Sequence, residues 1–278
     1  MKVNSAVEAL SILNDGDVIW CQSMAATPYK LLEGLKEVAT QRKDLTLLQL
    51  HTEYSEILCD PELKGHLRQR AFFVGASTRQ AVNQGLADYV PIFLSEIPKL
   101  FRSGEQPLDA AIIQVSPPDK HGNCSLGISV EATRAALQVA KKVVAWINPN
   151  MPRTHGDALV SLKRFDRFYE EAAPIPLHNQ PPQNPVTQKI GERVAGLIND
   201  GDCLQMGIGA IPDATLACLH HHKDLGIHTE MFSDGVLPLV ERGVINNSRK
   251  RKHRGRIVTT FAMGSQALYD FVDDNQEV

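Results

Sequence analysis

The sequence predicts an α/β fold made of two related domains with mostly parallel sheets. Three observations carry that expectation. Short apolar runs alternate with capped amphipathic segments, the signature of strand–helix–strand units. A proline-rich stretch interrupts the alternation between residues 174 and 185. The tetrapeptide Asn-Asp-Gly-Asp opens a similar series of elements on each side of that stretch.

The elements follow in chain order. Asp17–Cys21 (DVIWC) reads as a buried strand. Thr27-Pro28 then starts a helix reaching Leu35, with Thr27 as N-cap and Pro28 at the first helical position. Leu45–Leu50 is a second strand, and Asp109–Val115 a third that ends in the turn Ser116-Pro117-Pro118-Asp119. Glu131–Lys141 has helical spacing. Lys142–Ile147 is a further strand, stopped by Asn148-Pro149-Asn150-Met151-Pro152. The segment Asn148–Gly156 reads either as a structured turn or as the wall of a cleft. Pro174, Pro176, Pro181, Pro182 and Pro185 make residues 175–187 a stiff connector. The expected organisation is a first domain over 1–174, the linker 175–187, and a second domain over 188–278.

Composition narrows the function classes. The chain of 278 residues is 43% hydrophobic and 22% charged, ordinary for a globular protein. A net charge of −3 gives no reason to expect a nucleic-acid partner. Five cysteines (Cys21, Cys59, Cys124, Cys203, Cys218) are scattered without a C-x-x-C pair, and the N-terminal Met1-Lys2-Val3-Asn4 runs into a mixed helix rather than a secretory leader. Free thiols in a reducing, cytoplasmic compartment are expected. No apolar run approaches the ~18 residues that would suggest a membrane span.

The repeat draws attention to two glutamates. Asn14-Asp15-Gly16-Asp17 leads to His51-Thr52-Glu53, and Asn199-Asp200-Gly201-Asp202 leads to His228-Thr229-Glu230. The interval differs by eight residues between the copies, which loops can absorb. After the first strand the second copy reads Gln205-Met206-Gly207-Ile208-Gly209-Ala210-Ile211-Pro212-Asp213. The first reads Gln22-Ser23-Met24-Ala25-Ala26-Thr27-Pro28, without glycine. A backbone that presents its N–H groups closely to a ligand favours glycine. A glycine turn feeding a helix N-terminus also aims donors at an anion. This difference assigns chemistry to Glu230 and a structural part to Glu53. A tight strand-to-helix turn with no ligand remains the alternative reading of Gly207–Gly209. Pro212 stands where a dinucleotide fingerprint would need its third glycine, and His-Thr-Glu lacks the second histidine of a zinc motif, so no metal is expected. The run Arg249-Lys250-Arg251-Lys252-His253-Arg254, with Arg256, reads as a solvated loop, with CoA phosphates or a nuclear signal as alternatives. His220-His221-His222 reads as exposed and incidental.

At these residues the sequence resembles a known family. The blocks LQMGIGAIPDATL, LGIHTEMFSDGVLPLVERGVIN and GSQALYDFVDDN are similar to the acetyl-CoA hydrolase/transferase family, and most of all to its butyryl-CoA:acetate and 4-hydroxybutyrate CoA-transferases. In the first half, VSPPDKHGNCSLGISVEATRAA and INPNMPRTHGD agree with the N-terminal domain of that family. The resemblance implies two related CoA-transferase-type domains, the second of them incomplete here, because family members continue beyond the position of Val278. It implies a catalytic glutamate at Glu230. It implies an oxyanion and CoA-binding loop at Gly207, Ile208, Gly209 and Ala210, reaching Pro212. The implied substrates are a short-chain acyl-CoA and a carboxylic acid such as acetate. CoA serves as substrate and no resident cofactor is used. The implied assembly is a homo-oligomer or a pairing with a polypeptide that completes the second domain. Hydrolysis in the same fold, or a non-catalytic CoA-binding or assembly module, are the alternatives.

Overall fold

The computed structural model describes residues 1–179 and 182–278; Gln180 and Pro181, within the expected linker, lie outside the described residues. The chain divides into two compact units, Met1–Pro176 and Leu177–Val278. The helix Pro185–Ala195 begins inside the proline-rich stretch, three residues ahead of the expected restart at 188. Asn184 caps it, its side chain accepting from Val186 and Thr187, while the Thr187 hydroxyl accepts from the Asn184 amide.

Unit 1 contains strands β1 (Val18–Cys21), β2 (Leu45–Gln49), β3 (Leu67–Ala71), β4 (Ala87–Tyr89), β5 (Ala110–Val115), β6 (Asn123–Ser125), β7 (Lys142–Ile147), β8 (Leu159–Ser161) and β9 (Arg167–Glu170). Seven of them form one sheet in the order β4-β3-β2-β1-β5-β7-β9, parallel at every pairing, while β6 and β8 pair antiparallel. The central strands are buried on both faces. All six residues of β5 are buried, and such strands read as continuous apolar runs. Trp20 on β1 fixes the packing: its ring meets Phe101 edge-on at 5.2 Å and its indole N–H donates to the Thr133 hydroxyl at 3.0 Å.

Two helix boundaries differ from expectation. The helix after β1 spans Tyr29–Ala39 with Pro28 as its cap residue, because the Thr27 hydroxyl is engaged elsewhere: it donates to the Met24 carbonyl and accepts from the Glu53 amide. The helix expected over 131–141 contracts to Thr133–Val139. Glu131 stands outside it at φ +22°, its carboxylate accepting from the Ser23 and Ser129 hydroxyls and the Ala132 amide.

Unit 2 is built on β10 (Cys203–Leu204), β11 (Gly226–Ile227), β12 (Met231–Phe232) and β13 (Phe261–Ala262), with β10 parallel to β11 and β12 parallel to β13. The repeat extends to individual hydrogen bonds. In unit 1 the Asn14 amide donates to Asp17 Oδ2 (2.8 Å), the Gly16 amide to the Lys43 carbonyl (2.9 Å), and the Lys43 amide to Asp15 Oδ1 (3.0 Å). In unit 2 the Asn199 amide donates to Asp202 Oδ2 (2.8 Å), the Gly201 amide to the Lys223 carbonyl (2.9 Å), and the Lys223 amide to Asp200 Oδ1 (2.8 Å). The next strands pair in matching register, Ile19 with Leu47 and Leu204 with Ile227. The second anchor of each copy is a Lys-Asp-Leu tripeptide, 43–45 and 223–225.

Candidate functional site

Parallel β10 and β11 bring their carboxyl ends to one side, the end of an α/β layer where ligands are bound. Chain leaving β10 forms the loop Gln205–Gly209 and enters the helix Ala210–Ala217. Chain leaving β11 carries His228, Thr229 and Glu230. Thr229 is buried, 4% exposed, and joins the two segments. Its hydroxyl accepts from the Met206 amide at 2.8 Å and faces the Met206 and Met231 carbonyls at 3.1 and 3.0 Å.

Glu230 presents an exposed side chain on a fixed backbone. Its carbonyl accepts from the Thr260 and Phe261 amides, both at 3.1 Å, and from the Thr260 and Thr259 hydroxyls at 2.8 and 3.0 Å. On its other side the Thr229 amide donates to Val258 at 2.9 Å. The carboxylate therefore projects from a main chain held by the neighbouring segment 258–261, which limits the positions it samples.

The glycine loop has the properties of an anion cradle. Gly209 has φ +119° and ψ −177°, a conformation confined to glycine, and caps the helix without a side chain. Among the described residues, the amides of Gly207, Ile208, Gly209, Ala210 and Ile211 donate to no protein acceptor. The matching loop of unit 1 behaves differently. Eight residues beyond Gly16 stands Met24, and eight beyond Gly201 stands Gly209. Met24 also has positive φ, +57°, but its amide donates to His51 at 2.6 Å, and the Gln22 amide donates to Ile112 at 3.1 Å. Both copies make a positive-φ turn; among the described residues the contrast lies at two positions, where the Gln22 and Met24 amides are bonded and the matching Gly207 and Gly209 amides are open. The open amides of Ala210 and Ile211 are those of any helix start; the open amides of Gly207 and Gly209 are what set this loop apart from its counterpart in unit 1.

The acidic groups behind the loop are partly desolvated. Burial pushes the Asp213 carboxyl above its usual range; the Ser233 hydroxyl, donating at 3.3 Å, opposes this, and Asp234 adds to it. Asp234 itself accepts from the Ser265 amide at 2.9 Å and from its hydroxyl, at the start of the helix Gln266–Val272. The block GSQALYD that shaped the sequence resemblance is thereby explained as a helix-start anchor.

The basic run corrects the solvated-loop expectation in part. Lys250 is 7% exposed, and its ammonium donates to the Ile227 and Arg256 carbonyls, both at 2.6 Å. Burial lowers its pKa, with Cys203 opposing. A Cβ on Gly226 would lie 2.6 Å from Lys250 Cγ, so glycine there lets the lysine stem cross β11. The remaining cations of the run are exposed.

The two glutamates do not occupy equivalent places. Counted from the Lys-Asp-Leu anchors, Glu53 lies ten residues beyond Lys43, whereas Glu230 lies seven beyond Lys223. The Glu53 amide bonds the Thr27 side chain, and its carboxylate lies 3.9 Å from His51. The shared His-Thr-Glu is displaced by three positions against a strand frame that repeats. Asn148–Gly156 begins as a structured turn: buried Asn148 donates to Gln114 (2.7 Å) and Ala173 (2.9 Å). Among the described residues no group of three His, Cys, Asp or Glu side chains could hold a metal ion, and no helix is long and apolar enough to cross a membrane. Sequence reasoning missed Thr229, Thr260 and Lys250; only Thr229 carried a signal, as the middle residue of the repeated tripeptide.

Comparison with known proteins follows the same lines. Residues 1–180 match the acetyl-CoA hydrolase/transferase N-terminal domain. The chain is 44% identical over 274 residues to a succinyl-CoA:acetate/propanoyl-CoA:succinate CoA transferase of Fasciola hepatica, covering 98% of this chain and 57% of that protein. It is 52% identical over 217 residues to a 4-hydroxybutyrate coenzyme A transferase of Clostridium kluyveri, covering 78% of this chain and 50% of that protein. The crystal structure of RipA from Yersinia pestis matches with a TM-score of 0.94 at 31% identity, over 99% of this chain and 66% of that one. The chain thus spans about half to two thirds of the length of the curated relatives it matches. Its parallel α/β architecture, the repeated unit and these matches together make it a member of the acetyl-CoA hydrolase/transferase family.

Proposed function

We propose that this chain carries the nucleophile of a CoA-transferase, with Glu230 as the attacking group and the amides of Gly207–Ala210 as the oxyanion donors. One observation carries the reading: an exposed carboxylate on a fixed main chain, tied through Thr229 to a loop whose amides have no protein acceptor among the described residues. The names of the relatives support transfer between two acids over hydrolysis.

The chemistry follows from the groups present. A Glu230 oxygen attacks the thioester carbonyl, the C–S bond breaks, and an acyl-glutamyl anhydride and CoA thiolate result. The thiolate attacks the glutamyl carbonyl, giving a glutamyl-CoA thioester and releasing the first acid as carboxylate. A second carboxylate reverses both steps and leaves as the new acyl-CoA. The half-reaction as a whole exchanges one thioester for another of similar energy through the more reactive anhydride, so one difficult exchange is split into easier covalent steps, and ping-pong kinetics follow. Every tetrahedral stage places negative charge on one oxygen. One well-placed donor for such an oxygen contributes about 2.7–4 kcal/mol to the barrier in comparable sites. The scheme draws only on side chains and main chain, with CoA as substrate. The acceptor acid is proposed to be a short carboxylate, acetate among them. Self-association or pairing with a completing polypeptide belongs to the same proposal; exposed Leu197 and Ile208 in unit 2 are apolar surface that such an assembly would cover.

Exchange of labelled acetate into acetyl-CoA tests the reading. Exchange should occur with the wild-type chain and fall to background in Glu230→Ala. Equal exchange rates in the two proteins would end the proposal.

A further inference from the structure

The basic segment 249–256 is a built surface rather than a loose charged run. It is fastened to β11, the strand that leads directly to Glu230. The Ile227 amide donates to Asn247 Oδ1 at 2.9 Å, and the Lys250 ammonium donates to the Ile227 carbonyl at 2.6 Å. Within the segment, the Gly255 amide donates to the Asn247 carbonyl at 3.0 Å, the Arg256 amide to His253 at 3.1 Å, and Arg254 Nε to the Ser248 carbonyl at 2.6 Å. Lys250 is thus spent on holding the loop, while Arg251, Lys252, His253, Arg254 and Arg256 stay exposed.

Those exposed charges are not neutralised by the fold. Among the described residues, the ion pairing of this segment is confined to Arg249 with Asp224, at 3.0 Å. Cations held this densely on a fixed backbone repel one another and create a local positive potential. That potential reaches the strand end. His228 and Glu230 flank buried Thr229 and are both exposed, with the chain bending at Glu230. The His228 ring lies 5.9 Å from that of His253. Desolvation first, then Lys250, His253 and Lys252, hold the His228 imidazole below its usual pKa.

We propose that the loop formed by Arg251, Lys252, His253, Arg254 and Arg256, fastened to the strand that leads to Glu230, is the docking site for the phosphorylated, adenosine 3′,5′-bisphosphate end of coenzyme A. The inference rests on the transferase reading for the identity of its ligand. Its chemistry is direct. Guanidinium groups match phosphate oxygens in a two-pronged geometry, and ammonium groups add point charge. The pantetheine arm separates the thioester from the phosphates, so a phosphate site belongs beside the nucleophile's strand rather than at the nucleophile itself. Anchoring the loop through Lys250 keeps the cations in place before the ligand arrives.

Titration calorimetry of the 278-residue chain with CoA, adenosine 3′,5′-bisphosphate, pantetheine and inorganic phosphate tests the proposal. The variant is Arg251→Gln/Lys252→Gln/Arg256→Gln, whose side chains make no ion pair among the described residues and whose melting temperature checks the fold. The triple variant should bind CoA and the bisphosphate at least tenfold more weakly than wild type, with pantetheine unchanged. Raised salt should weaken wild-type CoA binding more than that of the variant. Bisphosphate binding that is equal in both proteins, or absent in wild type, overturns the site. Inorganic phosphate bound as tightly as the bisphosphate and with the same loop dependence overturns the assignment to CoA. Glu230→Gln separates the two readings. Loop-dependent CoA binding with no Glu230-dependent exchange would leave this site standing and remove the transferase proposal; Glu230-dependent exchange unaffected by the triple variant at limiting CoA would do the opposite.

Discussion

The Thr229 hydroxyl and the Met206 amide lie 2.8 Å apart, and this one bond fixes the residue before Glu230 to the residue before Gly207. A hydroxyl offers one donor and two acceptor positions. Here it takes the amide proton and offers its own to the Met206 or Met231 carbonyl. Because the bond is buried, water does not replace it when it is lost.

Thr229→Val keeps the shape and removes the hydroxyl. It leaves the Met206 amide without its acceptor, a cost of about 1–3 kcal/mol. The melting temperature should fall accordingly. Reaction at Glu230 should slow beyond what the remaining folded fraction explains, because the loop and the nucleophile are no longer registered. Unchanged stability and rate would remove Thr229 from the account.

The two loop glycines should respond differently to alanine. Gly209→Ala forces a side chain onto φ +119° and should cost about 1–3 kcal/mol in stability. At Gly207 the nearest atom to an added Cβ is Pro212 Cγ at 3.8 Å, an ordinary contact. Gly207→Ala should therefore leave the melting temperature within about 0.5 kcal/mol of wild type. It should still reduce acyl transfer, since the methyl group would stand where substrate approaches the amides. Full activity in Gly207→Ala would argue against the oxyanion role.

Lys250→Met keeps the buried stem and deletes the ammonium. The Ile227 and Arg256 carbonyls then lose a donor, which should destabilise unit 2 by about 1–3 kcal/mol. Arg251→Gln, on the exposed side of the same run, should change stability by less than about 0.5 kcal/mol. Equal effects of the two substitutions, read by thermal melts, would contradict the division between anchor and surface.

His228 provides a pH test. Its folded-state pKa is lowered, so between that value and the ordinary ~6.5 the unfolded chain binds more protons. Stability should consequently rise with pH through this window and be insensitive to His228 above it. The melting temperature of wild type minus that of His228→Gln should become more negative as pH falls from about 7.5 to about 5.5. A difference independent of pH would show that the surrounding cations do not act on this ring.

The sequence exposed most of what apolar periodicity and turn chemistry encode. β5 and β7 stood out because strands buried on both faces are unbroken apolar runs. β3 did not: Leu67–Ala71 alternates buried positions with Arg68 and Arg70, which face outward and pair with Asp88 on β4. The repeat was visible as Asn-Asp-Gly-Asp because those side chains close the turn themselves. Its second anchor, Lys-Asp-Leu, was overlooked, since what repeats there is the backbone carbonyl and amide of the lysine. The shared His-Thr-Glu was misleading for the opposite reason, being a similarity of letters displaced by three residues from the structural frame. The open amides of Gly207–Ile211 follow from glycine content, whereas the burial of Lys250 inside a run of exposed cations depends on Gly226, twenty-four positions away.

The central claim is that Glu230 is the nucleophile. Intact-mass measurement of the chain after mixing with acetyl-CoA, followed by peptide mapping and beside a Glu230→Gln control, tests it most directly. The account predicts a CoA-sized adduct on wild type that maps to the peptide containing Glu230 and is missing from the control. An adduct of equal yield on Glu230→Gln, or one that maps to another residue, would contradict it.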